Sequence, residues 1–412
     1  MRILITAFLF IFFKSCANGF AAANDERVFK IYHDADWSNN IESSESIWRG
    51  MQTALSEVDY TVNDVRIELV KRNHGGNVTR SLGNMKAFLD DDRALAVFSG
   101  MHSPPLITNR SFINENRIPV LVPWAAGGPI TRYPSAENSV FRLSVDDTKA
   151  GEVLVDYAVK QYGCSNPYLL LENTKWGDSN DKNIKIALEK RGASAAGIKR
   201  FSWGLKSYVA RSIIQEINGE GAKCVILVSS VAEGAQIALA MSELDTDSRL
   251  PIISHWGITG GNFHLIINAE TRALLELSFI QTCFSFIDTP MKPMAKDVFE
   301  ELQSSYPEEI RSPKDIRSPV GFIHAYDLTK LFITALNNVQ ISDDIQVNRN
   351  SIKIALENIE GPVEGLIKTY RTPFTQYDAS TPDAHEALGR ENICMGSYGR
   401  HNEILVNNGS GI

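Results

Sequence analysis

Short apolar runs that alternate with longer segments of helical spacing are the feature that most restricts this chain. Runs at residues 28–32, 65–70, 95–98 and 120–122 alternate with helical candidates near 44–58, 79–89 and 103–116. The period switches from strand to helix and back, which predicts a parallel sheet covered by helices on both faces. A second series follows, with runs at 168–171, 197–202, 225–228, 252–254 and 277–282 between helices near 178–191, 206–217 and 233–244. The prediction is an α/β chain of two doubly wound parallel-sheet modules, and 412 residues with 43% hydrophobic side chains suffice for two cores.

The helices carry start signals. Ser103 followed by Pro104 offers a capping hydroxyl and a first-turn proline, and Asp178 and Ser230 hold comparable positions after strands. In an open parallel sheet these strand-to-helix junctions collect at one edge, so a ligand site is expected there. No fixed-period repeat or low-complexity linker separates the modules, which suggests short hinge crossings.

The first residues read differently. Arg2 precedes an apolar stretch, 3–13, and then small residues, Ser15-Cys16-Ala17 and Ala21-Ala22-Ala23, as in a cleaved secretory signal spanning residues 1–23. Lys14 stands where a lipid-modified Cys16 would need small or apolar neighbours, so simple cleavage is favoured. Export makes disulfides available to Cys164, Cys224, Cys283 and Cys394, which are spaced too widely for a CxxC metal or redox motif. Cys164 and Cys224 each precede an apolar run and could bridge neighbouring parallel strands; buried free thiols are the alternative. Beyond the signal no apolar run approaches the roughly 18 to 20 residues of a membrane span. With 41 basic against 49 acidic residues, a nucleic-acid partner has no electrostatic footing.

Catalytic motifs are missing. His385-Glu386-Ala387-Leu388-Gly389 lacks the second His of a zinc helix, and there is no GxxxxGK, no GxGxxG after the first strand and no GxSxG, so neither an enzyme nor a cofactor is expected. Gly127-Gly128 and Gly260-Gly261 read as turns rather than phosphate cradles. His102, His255 and His324 fall near strand ends or helix starts and could meet in space, but satisfied structural histidines are the favoured reading.

The order of elements, with Ser99-Gly100-Met101-His102-Ser103, Pro119-Val120-Leu121-Val122-Pro123-Trp124-Ala125-Ala126, Lys175-Trp176-Gly177-Asp178, Ser254-His255-Trp256-Gly257 and His324-Ala325-Tyr326-Asp327, resembles the type I periplasmic binding proteins of the leucine/isoleucine/valine-binding family. The resemblance implies two lobes joined by three crossings, a periplasmic monomer that closes on a small molecule, an amino acid or a related acid, amide or amine, and presents it to an ABC transporter permease. A sensory module with a separate membrane partner is the alternative. Crossings near 143–147, 284–288 and 359–363 assign residues 24–145 and 286–360 to the first lobe and 146–285 and 361–412 to the second.

By the same resemblance, Ser103, Ala125 and Ala126 match positions that hold a ligand carboxylate, and Trp176 an aromatic residue facing the ligand. The plain alternatives are that Ser103 caps its helix and Trp176 packs at a strand end. Departures from the family pattern matter more. Pro104 and Pro105 lack N–H donors, so the carboxylate anchor is weakened. Trp256 stands where branched-chain amino-acid binders place an acid for the ammonium, so that anchor is expected to be lost. Trp37, Trp124, Trp176 and Trp256 all lie at junctions, and four indoles could converge to stack a flat or cationic ligand, at roughly 0.5 to 2 kcal/mol per contact. Ser230 completes the expected lining, and Glu45 and Glu233, at helix starts, are candidate charge partners.

Overall fold

A computed structural model describes residues 27–378 and 380–407. The signal-like leader and Cys16 lie outside the described residues. Among the described residues, one six-stranded sheet runs in the order β2-β3-β1-β4-β5-β6. Its strands are β1 (Val28–Ala35), β2 (Thr61–Val62), β3 (Val65–Asn73), β4 (Ala94–Ser99), β5 (Val120–Val122) and β6 (Val140–Arg142). All its pairings are parallel except the edge hairpin of β2 with β3. β4 is buried at every residue from Ala94 to Ser99, as a central parallel strand must be when helices cover both faces.

The second sheet comprises β7 (Tyr168–Glu172), β8 (Gly197–Phe201), β9 (Val225–Val228), β10 (Ile252–Ser254) and β11 (Leu277–Thr282). The chain's tail adds β14 (Ile393–Tyr398) and β15 (Ile404–Asn407), giving the order β15-β14-β11-β10-β9-β7-β8. β7 to β11 pair in parallel, with β8 at the edge, and the two strands from the tail pair antiparallel. Cys164 and Cys224, at the starts of adjacent β7 and β9, are joined, as are Cys283 and Cys394 on β11's exit and β14. These bridges fasten strands that lie side by side but far apart in sequence.

The chain changes lobe after β6, where the helix Asp147–Tyr162 packs on the second sheet, and after β11, where the helix Pro293–Ser305 returns to the helix Ile41–Ser56. Its third return differs from the expected boundary at residue 361. The short pair β12 (Val363–Glu364) and β13 (Thr369–Tyr370) lies on the first-lobe helix Pro319–Asn337, where Tyr370 donates to Asp327 at 2.8 Å. His385 is likewise held by the Val140 carbonyl and by Glu357, so the tail rejoins the second sheet only at Ile393. Within the first lobe the helices Ile41–Ser56 and Pro319–Asn337 touch through Gly50, whose missing Cβ would lie 2.4 Å from the Phe322 carbonyl oxygen. Apolar packing continues from one lobe into the other through Trp124, Ala126 and Trp176, so the two sheets stand in a closed arrangement.

Candidate functional site

The strand-to-helix junctions of both sheets face one another across the lobe boundary and enclose a cavity of about 10 Å³, room for about one water. The first lobe lines it with Met101, His102, Ser103, Pro104, Trp124 and Ala126. The second contributes Glu172, Trp176, Trp203, Ser230, Trp256 and Gly257. Sequence reasoning therefore placed six lining residues: Ser103, Trp124, Ala126, Trp176, Ser230 and Trp256.

On the first-lobe wall Ser103 opens its helix, with His102 at the cap position. The Ser103 hydroxyl oxygen accepts from the Gly127 N–H at 3.0 Å, so it braces the turn after β5. Ala125 lies behind this wall, fully buried in the first-lobe core, with its carbonyl accepting from Arg142. His102 sits within 3.3 Å of Asp36 and 3.2 Å of Asn40. Burial opposes a charge on Asp36, but His102, Asn40 and the N–H groups of Asn39 and Ser38 outweigh it and hold this carboxyl far below the usual range.

The second-lobe wall is built on buried ionisable groups. Trp176 enters one residue after Lys175 in a helix capped by Thr174, whose hydroxyl accepts from Gly177 N–H at 3.2 Å. The Trp176 indole N–H donates to Asp147 at 3.1 Å, and Asp147 also lies 3.4 Å from His255. The His255 ring is edge-on to both Trp176 and Trp256, at 5.0 and 5.5 Å. Gly257 is required here, because a Cβ would come 2.7 Å from the Trp176 ring and 2.3 Å from the Ser229 carbonyl oxygen. Trp256 in turn meets His324 at 5.6 Å.

Glu172, the last residue of β7, is 1% exposed. It accepts from the Ser230 N–H and, at 2.8 Å, from the Trp203 indole N–H. Burial pushes its carboxyl above the usual range, against the opposing effect of these donors. Trp203 lies on the loop after β8, is 41% exposed, and reaches across to the first lobe, where its ring rests 5.2 Å from His102. Gly204 beside it donates its N–H to Glu233 at 2.7 Å.

One expectation is corrected. Trp37 does not join the other indoles. It packs instead edge-on against His33 and Trp48, with the Lys71 ammonium 3.9 Å above its ring, because the loop after β1 turns it toward the helix Ile41–Ser56 and β3. The fourth indole of the cleft is Trp203. The three histidines stand apart, in keeping with the favoured structural reading: His102 is on the first-lobe wall, His255 is buried between two indoles, and His324 is held by Thr282 and the Pro123 carbonyl. Glu45 is drawn off to Arg49 at 3.6 Å. Among the described residues no group of three or more His, Cys, Asp or Glu could hold a metal ion.

Glu172 and Trp203 were missed by sequence reasoning. Glu172 had a signal, since a carboxylate ending the apolar run of a central parallel strand is costly unless the site uses or pairs it. Trp203, in the turn Ser202-Trp203-Gly204, had none that separates it from any exposed loop indole.

A family profile described as periplasmic binding protein matches residues 38–381. A curated relative, an amino acid binding protein of Pseudomonas aeruginosa, is 21% identical over 212 residues, 51% of this chain and 56% of its own length, so the match spans about half of each. A periplasmic binding protein type 1 from Bordetella pertussis superposes with a TM-score of 0.76 at 15% identity, covering 92% of this chain and 99% of that one. The branched-chain amino acid transporter substrate binding protein of Streptococcus pneumoniae, in complex with isoleucine, gives 0.72 at 15% identity over 92% and 99%. An ABC transporter solute binding protein from Rhodopseudomonas palustris, in complex with p-hydroxybenzoic acid, gives 0.72 at 13% over 92% and 95%. The fold and the extent of the profile match lead to one assignment: the chain belongs to the periplasmic binding protein family, a non-enzymatic family, and has its type I fold.

Proposed function

We propose that the protein captures a small organic molecule between its lobes in the periplasm and delivers it, unaltered, to an ABC transporter permease. The observation that carries this reading is the indole-lined cleft itself, in which Trp124 from one lobe and Trp176, Trp203 and Trp256 from the other face a common cavity. Residues 1–23 serve as the export signal. Ser103 and Ala126 on one side and Trp176, Ser230 and Trp256 on the other are the contacting residues.

The closed cavity is far smaller than a metabolite, so a guest enters when the lobes part. Few polar contacts hold the cleft shut: the Gly128 N–H donates to Ser179 at 3.1 Å and the Ser318 hydroxyl to the Thr259 carbonyl at 3.0 Å. Arg317 donates to the Asn402 carbonyl at 3.2 Å, Lys314 lies 3.9 Å from Glu403, and the Trp203 ring rests on His102. A guest that touches both walls adds contacts available only on closure, and so shifts the equilibrium toward the closed form.

A thermal-shift screen against a metabolite library tests the reading, because a ligand stabilises by RT ln(1 + [L]/Kd). The expected result is a class of compounds that raises Tm, changes indole fluorescence and is recovered intact. A library without a single stabilising compound, or one whose stabilising compound is converted to product, contradicts it.

A further inference from the structure

We propose that the guest is a small organic cation, an amine or quaternary ammonium without a carboxylate, held against the faces of Trp176, Trp203 and Trp256 and charge-paired with Glu172. This deepens the solute-binding reading and rests on it. Four observations carry it.

The first is the charge of the lining. Glu172 and His102 are its ionisable side chains, and none of the described lining residues is Lys or Arg. The Glu172 carboxylate is met by the Ser230 N–H and hydroxyl and by the Trp203 indole N–H, and among the described residues no Lys or Arg side chain is ion-paired with it. A carboxylate guest would face this buried acid with no Lys or Arg in the lining to neutralise either charge. The second is the state of the usual anion anchor. Pro104 and Pro105 remove two N–H donors from the first turn of the helix Ser103–Glu115, and the Ser103 hydroxyl oxygen already accepts from Gly127.

The third concerns the indoles. The N–H of Trp176 is tied to Asp147 and that of Trp203 to Glu172, so these two rings have no spare donor for an anion and offer π surface instead. Aromatic surface of this kind attracts cations, and clustered rings are a recurrent means of holding ammonium groups. The fourth is spare capacity on Glu172. An ionised carboxylate has about four lone-pair sites. The three donors that reach Glu172, the Ser230 N–H and hydroxyl and the Trp203 indole N–H, leave room for one ammonium N–H, or for the diffuse charge of a methylated one. Trp203, the exposed member of the set, forms the outer wall of the cavity.

The test uses the mature full-length chain and titration calorimetry with four probes: tetramethylammonium, benzylamine, benzoate and leucine. The two amines are expected to bind, with benzoate and leucine at least tenfold weaker. Glu172→Gln keeps a carbonyl oxygen for one of its donors and should weaken both amines at least tenfold. Trp203→Ala, at a loop indole that is 41% exposed, should weaken them severalfold. Tighter binding of benzoate or leucine than of the amines, an unchanged amine affinity in Glu172→Gln, or failure of both amines to bind each overturns the cation assignment. The library screen then decides separately whether solute binding itself survives.

Discussion

At the residue scale, the cleft depends on side chains pinned from behind. Trp176 cannot rotate freely, because its N–H is bound by Asp147, itself fully buried beside His255. A preorganised ring loses little freedom when a guest docks, so Trp176→Ala should weaken binding by roughly 1 to 3 kcal/mol. Calorimetry with whichever ligand the screen returns checks this, and an unchanged Kd would remove Trp176 from the site. His324 makes a prediction about pH. The Pro123 carbonyl can only accept, so Nδ1 carries the proton and Nε2 accepts from Thr282, at 2.7 and 2.6 Å. Burial pushes this imidazole down from 6.5 to about 4, against the opposing pull of the carbonyl. The unfolded chain then binds the extra proton first, and stability is lost as pH falls from about 6.5 through about 4. His324→Gln should remove about 3 kcal/mol of that acid sensitivity, read from urea unfolding at pH 7 and pH 4. Identical pH slopes in the two proteins would contradict the assignment. The other buried groups, His33 and His74 on the same side and Asp34 on the opposite one, are common to both proteins and cancel in the comparison.

At the scale of elements, the first crossing is fixed by a buried ionic network. Arg142, at the end of β6, is fully buried and donates to both oxygens of Glu386 and to the carbonyls of Ala125 and Gly127. It thus ties the tail to the hinge and holds the turn that carries Ala126 on the cleft. Arg142→Met leaves Glu386 buried with the Thr131 hydroxyl and, as its remaining ion-pair partner, Arg132 at 3.7 Å, and should cost roughly 3 to 5 kcal/mol in chemical unfolding. Adding Glu386→Gln should recover a large part of it, and a loss below about 1 kcal/mol in the single variant would contradict this role. Such a network explains where sequence reasoning stopped. Runs such as 95–98 and 225–228 announce β4 and β9 because a buried parallel strand must be apolar throughout. Residues 363–388 have no period to read. Their two-residue strands are held by partners far off in sequence, Asp327 with Tyr370, Glu357 with His385 and Arg142 with Glu386.

At the scale of the molecule, the two sheets were legible though the third crossing was not, and parallel sheets gather their strand-to-helix junctions on one edge, where a ligand site was expected. The cleft's composition was legible only in part. Trp124, Trp176 and Trp256 stand next to strands and were found by position, whereas Trp203 reaches the cavity from a loop and Trp37 leaves it by one. Loop direction is set by tertiary contacts, not by local pattern. The central claim is that the lobes are a clamp whose closure is driven by the guest. Small-angle scattering of the mature chain, with and without a saturating ligand from the screen, measures this directly. A smaller radius of gyration with the ligand, and a ligand-free profile broader than that of the closed structure, is the predicted result; identical profiles that both match the closed form would contradict it.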